Sequence, residues 1–511
     1  MLAHTYSAAV MGVDAYIVMV ECHLENAVPP SFTTVGLPEG AVRESKERVM
    51  AALKNSGYRI PQKRTTVNLA PADIRKEGSA FDLPIALGIM GAMRLIPQES
   101  LAQAVFVGEL GLDGILRSVK GILPIAMAAR SAGYRTIFVP PTNATEGAFV
   151  EGIHVIGVKK LADVVDILQG TRQPEHVTVN RQALLRRVRF YAVDMADVKG
   201  QEQTKRAMEV AAAGGHNAIL IGPPGSGKTM LAQRIPTILP PLTLEEALET
   251  TKIHSVAGHL IDGEGIIGHR PFRSPHHTVS DAGLIGGGSV PHPGEVSLAH
   301  HGVLFLDELP EFKKNVLEVL RQPLEVGEVT IARAKVSVTY PAKLMLMAAM
   351  NPCPCGFSSD PRNECTCSPL QIQRYMGRIS GPLLDRIDIH MEVPAVKVEE
   401  LTDKRQGESS NAVRERVQEA RARQQRRFQG ESHLFANAHM GTKDLRRYCS
   451  LPTEGENLLT SAIQRLGLSA RAYDRIIKVS RTIADLASAD KIGTAHLAEA
   501  IQYRSLDRSL I

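Results

Sequence analysis

Short apolar runs separated by stretches of helical period set the texture of the first third of the chain. Continuous or alternating apolar positions predict strands over 16–22, 65–69, 105–110, 116–119, 136–139 and 155–158. Spacings of three and four predict helices over 40–56 and 83–95. A polar, basic stretch follows at 172–191, with Arg181, Arg186, Arg187 and Arg189 and a proline near its start, and reads as a linker. Beyond it, runs at 218–221, 303–306 and 344–350 are short and continuously apolar, as buried parallel strands require. Residues 230–235 and 312–325 have helical character, and 329–346 holds two strand-like runs, V-T-I-A and V-S-V-T-Y. Arg333 and Lys335 sit at the turn between those runs, which makes a β-hairpin with a basic tip. The 398–430 stretch includes a basic helix with Arg414, Arg416, Arg421, Arg423, Arg426 and Arg427, and the last seventy or so residues are helical. No internal repeat is visible. The pattern predicts an α/β multidomain chain: an α+β domain over 1–170, a linker over 171–193, an α/β core with a parallel sheet over 194–395, a basic helical segment over 396–436 and a helical C-terminal domain over 437–511.

Composition narrows the class. At 511 residues the chain has ample material for several cores, and no apolar run reaches the length of a membrane span. The N-terminal stretch has no basic region before its apolar residues, and Asp14 interrupts them, so a secretory signal is not expected and a cytoplasmic protein is. A net charge of +5, from 59 basic and 54 acidic residues, permits nucleic-acid binding without arguing for it. Aromatics are 4% and Trp is absent, so base stacking is not the expected grip on a nucleic acid. Six cysteines in a cytosolic chain suggest metal or free thiols before disulfides.

The chemistry centres on 217–229, N-A-I-L-I-G-P-P-G-S-G-K-T. After the apolar run, Gly222, Pro223, Pro224, Gly225, Ser226, Gly227, Lys228 and Thr229 spell G-x-x-x-x-G-K-T. Glycines let backbone N–H groups curl around a β-phosphate, Lys228 reaches the β/γ-phosphates, and the Thr229 hydroxyl can ligate Mg²⁺. This is an NTP-binding pattern. The strand V-L-F-L-D-E over 303–308 ends in two carboxylates: Asp307 for Mg²⁺, and Glu308 to polarise the water that attacks the γ-phosphate. Asn351, at the end of the 344–350 run, is a polar residue placed to bond the attacking water or the γ-phosphate. Cys353, Cys355, Cys365 and Cys367 make C-x-C…C-x-C in one polar loop, a set suited to tetrahedral Zn²⁺ in a structural role. Cys22 and Cys449 stand apart as packing residues. His269, His276 and His277, in a Gly-rich stretch at 268–288, fit no common ligand spacing and are weighed as polar loop residues.

Several stretches resemble known families. V-G-E-L-G-L-D-G-I-L-R-S-V-K-G at 107–121, followed by 128–143, resembles the proteolytic domain of the Lon family. That family's serine would fall near Ser79 or Ala80, and its lysine near Leu123, where no lysine stands; the resemblance implies the fold without the protease. D-V-K-G-Q at 197–201 resembles the adenine-flanking segment of AAA+ ATPases, with Val198, Gly200 and Gln201 as candidates. G-P-L-L-D-R-I-D-I at 381–389 resembles the segment bearing their trans arginine finger, here Arg386, with a surface ion pair to Asp385 or Asp388 as the plain alternative. Arg471, at the start of a helix in the C-terminal lid, matches their second sensor, with a solvated arginine as its alternative. A Lon-like domain before a magnesium-chelatase-type AAA+ module with a cysteine loop is similar to the YifB/ComM family of bacterial ATPases.

That resemblance implies ATP and Mg²⁺ as ligands, a homo-hexameric ring, and a helicase promoting branch migration as transforming DNA is integrated. It also implies single-stranded or branched DNA and recombination proteins as partners, and no membrane. Arg273 in the Gly-rich insertion, with Arg333 and Lys335, are the candidate DNA contacts; a solvated hairpin tip is their alternative. Two other classes stay open: a magnesium-chelatase-like motor, or a regulatory ATPase that remodels a protein partner without moving on DNA.

Overall fold

The computed structural model describes residues 1–511 except 182, 184–190, 261, 262, 264, 289, 334, 335, 359, 361, 397–406, 432, 433, 467, 468 and 505–511. The chain forms two compact units: Met1–Val188 with Leu244–Gly268, and Arg189–Thr243 with His269–Ile511. Among the described residues no helix is long and apolar enough to cross a membrane.

The first unit is built on a seven-stranded mixed sheet in the order Phe32–Val35, Arg64–Ala70, Asp14–Glu25, Leu2–Met11, Ala104–Phe106, Thr136–Val139 and His154–Gly157. The Leu2–Met11 and Asp14–Glu25 hairpin is antiparallel, and the four strands from Leu2–Met11 onward in that order run parallel. Helix Asp82–Ala92 lies in the core, with Leu83, Ile85, Leu87 and Ile89 fully buried; such an all-round apolar helix belongs inside rather than on a surface. The expected strand 105–110 divides after Phe106. Gly108 there donates its N–H to Ala80 and accepts from the N–H of Leu83, which turns the chain toward that helix. Glu109–Leu110 then pairs with Leu116–Arg117 instead. Helix Leu244–Ala257 completes this unit. Its Ser255 hydroxyl donates to the buried Glu146 carboxylate, and Lys252 pairs with Asp14 at 3.0 Å.

The second unit holds a five-stranded, all-parallel sheet in the order Phe272–Arg273, Val303–Leu306, Met345–Met350, Ala218–Ile221 and Ile389–Glu392. The three central strands are buried along their whole length, which is why they carry continuous rather than alternating apolar residues. A parallel sheet covered by helices is an AAA+-type arrangement. The expected helix 312–325 breaks into Lys314–Glu318 and Arg321–Val326. Pro323 has no N–H for the Val319 carbonyl and its ring would crowd that oxygen, so the helix cannot run through. Glu328–Arg333 and Val336–Pro341 form the expected antiparallel hairpin; Lys335, at its tip, lies outside the described residues. The C-terminal part is helical through Ala470–Leu486 and Thr494–Gln502, packed on Glu202–Gly214 and Ser410–Arg427.

Candidate nucleotide site and cysteine cluster

In a parallel sheet, loops that follow the strands gather at their carboxyl ends. The G-x-x-x-x-G-K-T loop follows Ala218–Ile221, Asp307 and Glu308 follow Val303–Leu306, and Asn351 follows Met345–Met350. Lys228 Nζ donates to the Gly222 and Pro223 carbonyls at 2.8 and 2.9 Å and to Asn351 Oδ1 at 3.1 Å. Burial lowers its pKa, while Asp307 and then Glu308 work against the shift. The Thr229 hydroxyl donates to Asp307 Oδ2 at 2.6 Å, and the Glu308 N–H donates to Asp307 Oδ1 at 2.9 Å. Gly225 and Gly227 adopt φ of +74° and +86°, which lets the loop fold back over the helix that begins at Lys228. Glu308 also has left-handed backbone, φ +52° and ψ +47°, a strain of about 1 kcal/mol for a residue with a Cβ, and its side chain is exposed.

The 198–201 segment reaches the same loop. Gln201, at φ +57°, donates from Nε2 to the Ser226 carbonyl at 2.7 Å, and Val198 is fully buried. One contact was not visible in the sequence: His277 Nδ1 lies 3.3 Å from Glu308 Oε2. Its spacing marks no motif, because the pairing comes from the fold of the 268–288 stretch and not from local order.

The two arginines gather elsewhere. Asn217 precedes strand Ala218–Ile221, and its Nδ2 donates to the Arg386 carbonyl at 2.9 Å. Arg471 lies 3.1 Å from Asp385. Both arginines line one cleft of about 490 Å³, together with Lys343, Arg475 and Lys478. This cleft is at the amino ends of the strands, a strand length, roughly 13 Å, from the phosphate loop of the same chain. Arg386 donates to Glu325, and Arg471 is two-thirds exposed. Close by is a buried network: Asp388 accepts from His216 Nδ1 at 2.8 Å and from Arg475, and His216 Nε2 lies 2.8 Å from Thr482 Oγ1. Burial alone would raise the Asp388 pKa, but Arg475 and His216 outweigh it and hold the carboxyl far below its ordinary range. Of the candidate DNA contacts, Arg273 is gripped by Glu295 at 2.6 and 2.7 Å, and Arg333 is exposed on the hairpin.

The four cysteines converge. Cys353 Sγ lies 3.3 Å from Cys355 Sγ and 3.8 Å from Cys365 Sγ, Cys355 and Cys365 are 3.6 Å apart, and all four sulfurs fall within 4.8 Å of one another. The Cys355 N–H donates to Cys367 Sγ at 3.4 Å. Donation from the Phe357 N–H, the largest influence, helps pull the Cys355 thiol down to about 5. Cys22 and Cys449 are buried apart from this group.

Comparison with known proteins agrees along the whole chain. Residues 194–401 match the family described as magnesium chelatase, subunit ChlI; 20–143 match subunit ChlI of Mg-chelatase, and 407–504 match the ChlI C-terminal family. Competence protein ComM of Haemophilus influenzae is 45% identical over 511 residues, covering 100% of this chain and 98% of that protein. YifB of Escherichia coli, an uncharacterized protein, is 44% identical over 514 residues, with 100% and 98% covered. Lon protease 2 of Bacillus subtilis is 25% identical over 145 residues, 27% of this chain and 26% of that protein.

Proposed function

Because the chain belongs to the magnesium-chelatase-like AAA+ family that includes ComM and YifB, we propose that it is an ATP-hydrolysing motor that works on DNA. In this reading it is a hexameric helicase that promotes branch migration when transforming DNA is recombined. The observation that carries the ATPase half is the meeting of Lys228, Thr229, Asp307, Glu308 and Asn351 at the carboxyl ends of the central strands of a parallel sheet. The DNA half rests on the full-length likeness to a competence protein, with Arg333 on the hairpin in support.

Each residue has a role in this reading. Lys228 leaves the Gly222 and Pro223 carbonyls to bind β- and γ-phosphate oxygens, and Val198, Gly200 and Gln201 border the base. Thr229 and Asp307 would hold Mg²⁺, which supplies charge neutralisation on the phosphates. Glu308 takes up the attacking water's proton, and Asn351 orients that water. Arg386 and Arg471, remote from their own phosphate loop, act on the nucleotide of a neighbouring subunit. Arg273 joins the DNA contacts only when Glu295 releases it. The first unit is read as a Lon-like fold without its dyad: the Ser79 hydroxyl is spent on Glu109, and the position expected to hold lysine is buried Leu123.

ATPase rates measured with no DNA and with single-stranded, duplex and branched DNA test the proposal. Stimulation, strongest with the branched form, is expected. Turnover indifferent to all three would favour a motor that remodels a protein partner.

A further inference from the structure

A cysteine loop that only stabilised itself would have no reason to touch the nucleotide site. This one touches it three times. Cys353 is two residues past Asn351, whose side chain accepts from Lys228 Nζ at 3.1 Å. Gly356, inside the loop at φ +89°, sits so close to the phosphate loop that a Cβ there would come within 2.5 Å of Pro224 Cδ. The chain leaves Cys367 directly into helix Pro369–Met376, capped by Ser368, and the backbone N–H of Asn351 faces the buried Tyr375 phenol oxygen of that helix. The loop therefore closes on the same residue from which it starts, with the phosphate loop against its middle.

The sulfurs suit a metal. Tetrahedral Zn²⁺ with Zn–S bonds of about 2.3 Å puts its ligand atoms about 3.8 Å apart, and the S–S separations among Cys353, Cys355 and Cys365 run from 3.3 to 3.8 Å. Backbone N–H groups directed at Cys355 and Cys367 are the outer support that thiolate ligands use. Unmetallated, four thiols at these distances would hold no fixed arrangement, and Gly356 and Asn351 would lose their anchor.

We propose that Cys353, Cys355, Cys365 and Cys367 bind one Zn²⁺ whose occupancy is thermodynamically coupled to nucleotide at the phosphate loop. The proposal rests on the nucleotide-site reading above. Metal fixes Gly356 against Pro224 and Asn351 beside Lys228, so that zinc-loaded protein binds nucleotide more tightly. By reciprocity, nucleotide tightens zinc by the same factor.

The test uses full-length protein never exposed to chelator. Metal content is measured first, and one zinc per chain is expected. Zinc affinity is then measured by competition with a chromogenic chelator, in MgCl₂ alone and in saturating MgADP; MgADP should strengthen it on the order of tenfold. The Gly356→Ala variant should keep its zinc yet bind MgADP on the order of tenfold more weakly, because the new methyl displaces Pro224. Zinc well below one per chain overturns the site and the coupling together. Full zinc, with equal chelator competition in both solutions and unchanged MgADP affinity in Gly356→Ala, overturns the coupling and leaves a local staple. A parent protein that carries zinc but binds no MgADP would locate the failure in the nucleotide reading.

Discussion

Replacing Asp388 by alanine should undock the C-terminal helix Ala470–Leu486 from the sheet. Asp388 is 3% exposed, His216 is fully buried, and the Arg475 side chain is one-fifth exposed. Removing one member of a buried charged pair costs about 3–5 kcal/mol, since the other charge stays behind unpaired. Arg475 can regain some water, which puts the expected loss for Asp388→Ala near the lower end, about 3 kcal/mol. Asp388→Asn keeps the shape and one acceptor. Its carbonyl can serve Arg475, while its amide donates to His216 Nδ1, provided the imidazole moves its proton to Nε2. Thr482 Oγ1 can accept that proton at 2.8 Å while still donating to the Lys478 carbonyl at 3.0 Å. Only the charge on the Arg475 bond is then lost, about 1 kcal/mol. With no Trp in the chain, urea unfolding is followed by circular dichroism, and hydrogen exchange over 470–486 assigns the transition to this unit. Equal effects of the two substitutions would refute the tautomer argument. An Asp388→Ala loss below about 1 kcal/mol would refute the view that this network holds the helix.

Glu308→Gln should keep ATP bound while slowing turnover by about two or more orders of magnitude, read from single-turnover hydrolysis beside nucleotide affinity; unchanged turnover moves the base elsewhere. Mixing Arg386→Ala subunits with Lys228→Ala subunits should restore part of the ATPase activity lost in each alone, and no recovery in mixed assemblies shown to form counts against a shared site. Stability of the second unit should fall as pH drops below about 6.5. Burial lowers the pKa of His216 and of His390, and the Arg504 charge lowers that of His390 further, so the unfolded chain takes up protons that the folded one refuses. Each histidine accounts for up to about 1.4 kcal/mol per pH unit, and a flat urea midpoint between pH 7 and 5 would be the contrary result.

What could be read from the sequence was what is local. The phosphate loop, its preceding strand and the carboxylates at 307–308 follow from neighbouring residues, as does the cysteine spacing. Strand Leu2–Met11 escaped notice because part of its identity comes from distant pairing: Tyr6 lies beside Val105 on a strand far away in sequence. The gathering of Arg386 and Arg471 in one cleft, and of His277 on Glu308, depends on tertiary packing that no period encodes. The break at 319–320, ahead of Pro323, was local, and a stricter reading of proline within 312–325 would have found it.

The discontinuity of the first unit has a consequence for biosynthesis. Leu244–Gly268 belongs to it, but its translation is completed only eighty residues after Val188 (268 − 188). A ribosome working at about 5–20 residues per second needs roughly 4–16 s to span that gap. Throughout that interval the nascent unit lacks the helix whose Ser255 satisfies buried Glu146, so the carboxylate faces its pocket without that donor. A fragment cut at the linker would carry the same defect permanently. Tags and truncations that treat residue 170 or 190 as a boundary would select an incomplete unit, because they leave out 244–268.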